Sequence, residues 1–501
     1  MSKNCTIEKL NISFSMADHS EFLSICGREQ SIQTLMQSPE RIWQTSERHD
    51  ISHLQSAFAC ALHMHQPTVP AGPDGQLISH LQYMFDHSDQ GDNHNAAAFA
   101  HCYRRMADLI PELIAEGCQP RIMLDYSGNL LWGLTQMGRE DIIQSLRFLA
   151  CDQQMQRHVE WLGSFWGHAV APSTPIPDLS LQINAWQHQF ARLFGDDALR
   201  RVRGFSLPEM HLPNHPDTLF ALLHALRNAG YQWLMVQEHS VEQRNGTTLS
   251  AEQRYLPNRL VARSSTGDEV SMIALIKTQG SDTKLVGQMQ PCGEALGLGP
   301  QSIGAVQVPS LVSQIADGEN GGVMMNEFPD AFREANRRIR DQGLATVALN
   351  GSEYLQALDD LEISWDALPQ IQAVHQHKLW THLEAVPKPG NFNDAIGALK
   401  TQDPSLAMEG ASWTNDLSWV KGYENVLEPM QQLSASFHQV FDPQQAKDPS
   451  ITSTDQYRDA LLHLLMLETR CFRYWGQGLW TDFAREIHRR GESLLMAAQS
   501  A

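Results

Sequence analysis

Residues 58 to 67 read Phe58-Ala59-Cys60-Ala61-Leu62-His63-Met64-His65-Gln66-Pro67, or FACALHMHQP, an apolar run that turns polar over two alternating histidines and stops at a proline. Proline has no N–H for a sheet ladder, so the strand predicted by this run ends here. Side chains at i and i+2 of a strand share a face, which sends His63 and His65 one way and Met64 the other. Two imidazoles in one place have three readings: metal ligands, hydrogen-bond partners of a polar ligand, or buried rings satisfied by neighbouring backbone.

Outward from this strand, short apolar runs alternate with helical patterns as far as about residue 350, which marks βα units and a parallel sheet. Further strands are predicted over Arg121 to Asp125, Val159 to Ser164, Val202 to Leu207, Gln232 to Val236, Val270 to Ile276, Val308 to Ala316 and Ala345 to Leu349. Seven or eight such strands over about 300 residues indicate a barrel more than an open sheet. We expect this barrel to span residues 51–355, with a β-rich insertion near 255–295, where the sequence turns polar and turn-rich. Residues 1–50 are expected to form an extension packing on the barrel. Residues 356–501 are expected to form an all-helical C-terminal domain, from patterns such as Glu424 to Val440 and Asp455 to Phe472.

Composition removes several function classes. The formal charge of −20, from 57 acidic and 37 basic residues, repels phosphate backbones and anionic lipid, so neither nucleic acid nor membrane is expected as a partner. Eight scattered cysteines without a CxxC pair argue against a zinc knuckle or redox dithiol and fit reduced thiols in a cytoplasmic protein. Nothing in the sequence fixes the oligomeric state.

In a parallel barrel, chemistry gathers where the strands end, because the loops there converge over one mouth. The strand ends supply His63, His65 and Gln66; Asp125; Glu160, Trp161, Trp166 and His168; Glu209; and Asp317 and Glu319. Carboxylates, imidazoles and tryptophans on one rim suit a sugar site. Glycosidic cleavage needs one carboxylate at the anomeric carbon and a second carboxyl to protonate the leaving oxygen, while aromatic faces carry sugar C–H groups. Each feature also has a plainer reading: Glu209 as a helix-start carboxylate, Asp317-Gly318 as a turn, and Trp161 and Trp166 as core.

Taken in order, these segments resemble the characteristic regions of glycoside hydrolase family 57, whose members act on α-glucans. HMHQP matches its first region and VEWLGSFWGHAVAPSTP its second; GFSLPEM matches the third, ADGENGG the fourth and SWTNDLSWVKGYENV the fifth. The resemblance implies a distorted (β/α)7 barrel followed by a helical domain, and retaining chemistry without a metal or other cofactor. It makes Glu209 the nucleophile and Asp317 the acid/base. His63, His65, Gln66, Glu160, Trp161, Trp166, His168, Glu319, Trp413 and Trp419 then line the substrate, an α-glucan or malto-oligosaccharide.

The sequence departs from the family pattern at Ser206, where many members have tryptophan, and Glu327 and Asp330 are rival acids if the fourth region is shifted. Amylase, 4-α-glucanotransferase and branching activities all remain open. Two alternatives stand beside them: a metal-dependent hydrolase or deacetylase using His63, His65 and Asp125, and a silent glucan-binding homologue. The aromatic tail Arg470 to Phe483, RCFRYWGQGLWTDF, reads as core of the helical domain or as a cover over the mouth.

Overall fold

The computed structural model of the chain describes residues 23–38, 51–278, 284–319, 326–385, 392–410, 424–474 and 478–500. Strands β1 (Ser56–Met64), β2 (Ile122–Tyr126), β3 (Val159–Gly163), β4 (Gly204–Ser206), β5 (Trp233–Gln237), β6 (Glu269–Lys277) and β7 (Ser310–Asp317) follow one another in chain order and close into a parallel ring. β7 returns along the length of β1, from Ser310 beside Ser56 to Asp317 beside His63. The seam between β6 and β7 is a single pair, Lys277 beside Ser313.

The alternation along each strand separates two cores. Ala57, Ala59 and Ala61 point into the ring with Met123, Leu162, Met235, Leu275, Leu311 and Ile315. Phe58, Cys60, Leu62, Met64, Ile122 and Leu124 point outward against the helices. Small side chains on β1 leave room inside a ring of only seven strands. In phase with the inward set come His63 on β1, Asp125 on β2 and Asp317 on β7, each at or near the end of its strand.

The ring is distorted at its lower rim. β2 pairs with β1 only from Ala61 to Met64, and the start of β1, Ser56 to Phe58, pairs instead with Thr346–Ala348. The eighth strand expected from the sequence is therefore a wedge outside the ring. Beyond β6 the sheet continues through Asn258–Arg263, which pairs antiparallel with β6, then Gln370–Ala373 and Val241–Gln243. Two expectations are corrected here. The β-rich insertion near 255–295 contains β6, a member of the ring, and Gln370–Ala373 puts a strand in the stretch expected to be all helical.

The C-terminal helices Glu424–Lys447, Asp455–Leu467 and Leu479–Ser500 pack on one another. Of the N-terminal stretch, the helix Glu29–Met36 lies against the long helix Ile176–Phe194 and buries Ile32 and Met36. Among the described residues no helix is long and apolar enough to cross a membrane.

Candidate active site

β1 delivers His63 between two carboxylates, Asp125 in register on one side and Asp317 on the other. His63 Nδ1–H donates to the fully buried Asp125 Oδ2 at 2.8 Å. Burial alone lowers an imidazole pKa, but Asp125, with Asp317 and Glu319 beyond it, pushes His63 up to about 9. At neutral pH this ring is a cation inside a ring of strands.

His65, one residue past the strand, turns its Nδ1 to Ser127 Oγ at 2.7 Å, and its Nε2 lies 3.5 Å from Cys471 Sγ. His168 stacks on both, its ring centroid 4.6 Å from that of His63 and 4.0 Å from that of His65. Burial, helped by His63 and His65 and by Arg470, holds the His168 imidazole well below its ordinary range, and His65 is lowered in the same way. His63 Nε2 and both ring nitrogens of His168 are buried without a hydrogen-bond partner among the described residues. In stacked rings the in-plane lone pairs lie in parallel planes and do not converge, a poor fit to a metal. Among the described residues no group of three or more His, Cys, Asp or Glu is arranged to hold a metal ion.

Glu209 sits where β4 ends, in a tight turn over Pro208–Met210. Glu209 and Met210 both take left-handed backbone, at φ +56° and +53°, a conformation that costs a non-glycine residue roughly 1–2 kcal/mol. Strain of this kind persists where surrounding contacts enforce it and clusters at functional sites. The Arg470 guanidinium meets Glu209 Oε1 at 2.5 Å, and the Glu209 side chain is only 3% exposed. Asp317 stands across the mouth, three strands on from Glu209. Gly318 N–H donates to His63 O at 2.7 Å, and a Cβ on Gly318 would displace the end of the Met64 side chain. Glu319 then folds back, accepting from Tyr103 O–H at 3.0 Å and from the His65 N–H. Burial, and after it the nearby Asp317 charge, pushes Glu319 up to about 8 against the pull of His63.

The remaining sequence candidates divide. Gln66 is buried beside the site, its Oε1 3.3 Å from His80 Nδ1. Ser206 points inward beside Met235, its hydroxyl buried without a partner among the described residues. Glu160 does not reach the mouth. It lies at the start of β3, near the floor, where it accepts from the backbone N–H and hydroxyl of Ser352 in the first turn of helix Gly351–Asp360. Trp161 is corrected to core: it is in register with the outward Leu124 and packs on Tyr126, Phe190 and Phe194. Trp166 is core as well, fully buried over Gly128, where a Cβ would come within 2.1 Å of the indole. Trp413 and Trp419 lie outside the described residues. Glu327 and Asp330 are exposed; Asp330 pairs with Arg333 and Glu327 accepts from Gln288. Arg470, Cys471 and Tyr103 were not singled out from the sequence as site residues, and only the aromatic density after Arg470 hinted that this segment returns to the barrel.

Residues 57–275, from β1 through Glu209 into β6, match the family model Glycosyl hydrolase family 57. The matched stretch is under half of the 501 residues and ends before Asp317. The fold is similar to that of the 4-alpha-glucanotransferase from Thermococcus litoralis, at a TM-score of 0.50 and 15% identity, over 87% of this chain and 58% of that one. It is also similar to the GH57-type branching enzyme from Pyrococcus horikoshii, at a TM-score of 0.51 and 12% identity, over 89% and 88% of the two chains. The chain thus spans 58% of the length of the glucanotransferase it resembles. Among curated proteins no sequence match is found.

Proposed function

We propose that the chain is an α-glucan-active retaining enzyme that works by double displacement, with Glu209 as nucleophile and Asp317 as acid/base. The observation that carries this reading is the buried Glu209 carboxylate, held in a strained turn at a strand end and faced across the mouth by Asp317. In the first step Glu209 Oε bonds to the anomeric carbon as the glycosidic C–O bond breaks, and the leaving oxygen takes a proton from Asp317. In the second, an acceptor hydroxyl gives its proton to Asp317 and bonds to the anomeric carbon, and the electron pair of the ester bond returns to Glu209. In this reading the unpartnered His63 Nε2 and the His168 nitrogens bond the sugar hydroxyls. The family-model match and the name of the 4-alpha-glucanotransferase support an α-glucan substrate. The acceptor is water in a hydrolase or a sugar hydroxyl in a glucanotransferase or branching enzyme.

One observation favours a second assignment of the acid. Glu319 is the carboxyl held protonated near neutrality, the state a general acid starts from.

The test is the product profile of the purified protein on maltoheptaose beside that of Glu209→Gln. Loss of roughly 10⁴-fold or more in turnover is expected for the variant. Longer chains among the products indicate transfer, and shorter chains alone indicate hydrolysis. Near-normal turnover by Glu209→Gln overturns the reading.

A further inference from the structure

The chain returns from the C-terminal helices to the barrel mouth over Glu468 to Arg473, and nearly every residue of this strap grips the barrel. Glu468 Oε2 accepts from Gln182 Nε2 at 2.6 Å. Thr469 forms a bridge with Ala169, and its hydroxyl accepts from Asn129 Nδ2 at 3.2 Å. Arg470 N–H donates to His168 O at 3.2 Å, Cys471 lies against His65, and Arg473 Nη1 donates to Ser173 Oγ at 2.5 Å. Gly167 carries no side chain where the last turn of helix Asp455–Leu467 passes: a Cβ there would come within 2.1 Å of Leu465 O. So many attachments leave little freedom in where the Arg470 side chain goes. It goes to Glu209, and is itself only 14% exposed.

We infer that Arg470 is a positioning residue for Glu209: it aims the carboxylate at the anomeric carbon and stabilises it as the group that departs in the second step. The inference rests on the reading of Glu209 as nucleophile. Glu209 is uncharged while it is esterified to the sugar. When the C–O ester bond breaks, the electron pair stays on Glu209, the acceptor oxygen takes its place on the anomeric carbon, and the acceptor's proton goes to Asp317. A guanidinium already in place meets the returning charge without reorganisation. An opposite charge at this distance favours the ionised form of a carboxyl.

The other titratable groups around the pair do not supply this charge: His63, the imidazole raised to about 9, is committed to Asp125 at 2.8 Å. Burial holds His65 and His168 well below their ordinary range and lowers His211, next after Met210, to about 3. Burial also pushes the Cys471 thiol up to about 12, and Glu319 is itself a carboxyl. An ion pair that merely stitched the strap down would affect stability, and its loss would leave the balance between the first and second chemical steps alone, so a burst with an aryl glycoside separates the two roles.

The experiment compares full-length wild type, Arg470→Met and Arg470→Lys by kcat and KM on maltoheptaose from pH 3.5 to 8, with far-UV circular dichroism to establish folding. In Arg470→Met the acid limb of kcat/KM is expected to move up by about 1–3 pH units. An aryl α-maltoside should then show a burst of released phenol followed by turnover at least tenfold slower. Arg470→Lys keeps the charge and is expected to keep the acid limb within half a unit of wild type while kcat falls. A folded Arg470→Met with a wild-type profile or without the burst overturns the inference. If Arg470→Met does not fold, a shift of one unit or more in Arg470→Lys overturns it alone. Should Glu209→Gln stay active, the nucleophile assignment falls and the role of Arg470 with it. If Glu209→Gln is dead and the Arg470 variants are unchanged, only the role of Arg470 falls.

Discussion

The imidazole of His63 and the carboxylate of Asp125 form an ion pair 2.8 Å long, with the carboxylate wholly out of water. Such a pair ties the fold to pH. His63 has its folded pKa raised from 6.5 to about 9, so the native state holds this proton more tightly than the unfolded one. Its stabilisation is full below pH 6.5 and is lost as pH rises through 9, on the order of 3 kcal/mol in all. Urea unfolding of wild type and Asp125→Asn at pH 6 and pH 9.5 should show the wild-type advantage shrinking between the two. An advantage that stays constant or grows would refute the charged pair.

Asp317 and Glu319 divide the mouth between them, and substrates with different leaving groups separate their roles. Asp317→Asn is expected to lower kcat on maltoheptaose by about 10²–10⁴-fold and much less on an aryl glycoside, whose leaving group needs no proton. Glu319→Gln should keep kcat within tenfold, since the carboxyl also serves to hold Tyr103 and the His65 backbone. The reverse pattern makes Glu319 the acid.

At the floor, Glu160 carries a different expectation. Burial, opposed by its hydrogen bonds from Ser352, raises this carboxyl to about 7 from 4.5. The folded protein therefore loses stability as pH rises from 4.5 through 7, and Glu160→Gln should escape that loss, a relative gain of about 3 kcal/mol at pH 8 over pH 4. Its kcat and KM should match wild type. A tenfold fall in kcat in the folded variant would bring Glu160 back to the mouth.

Trp161 tests the separation of the two cores. As part of the outward packing with Phe190 and Phe194, its replacement by phenylalanine should cost ~1–3 kcal/mol of stability and leave KM for maltoheptaose within twofold. A tenfold rise in KM in thermally intact protein would make it a sugar platform.

The ring was readable because strands such as β1, β2 and β7 are apolar runs ending in polar residues, and FACALHMHQP stated both phase and endpoint by itself. That stretch offers His63 and His65 as candidates, and Glu209 comes from the end of the separate strand predicted over Val202 to Leu207. Glu160 and Trp161 were misjudged because they sit early in β3: adjacent residues face opposite ways, and a shift of a few residues at about 3.3 Å each separates mouth from floor. Trp166 looked like a platform, yet Gly128 beneath it gives it a place in the core. The strand Gln370–Ala373, reading QIQA, is too short for its alternation to stand out. Arg470 meets Glu209 through tertiary folding alone, and no local pattern links them.

The wedge at Thr346–Ala348 and the single-pair seam at Lys277 also bear on how the molecule is made. On a ribosome β1 emerges early, while both β7 and the wedge, its partners along the lower half, come roughly 250 residues later, on the order of 10–50 s at ordinary rates of synthesis. Through that interval one edge of β1 offers bare N–H and C=O groups flanked by alanines to any strand that passes. A nascent chain halted after the family-matched stretch is an open sheet in search of an edge, and the cell must shield it until Ser310–Asp317 arrives.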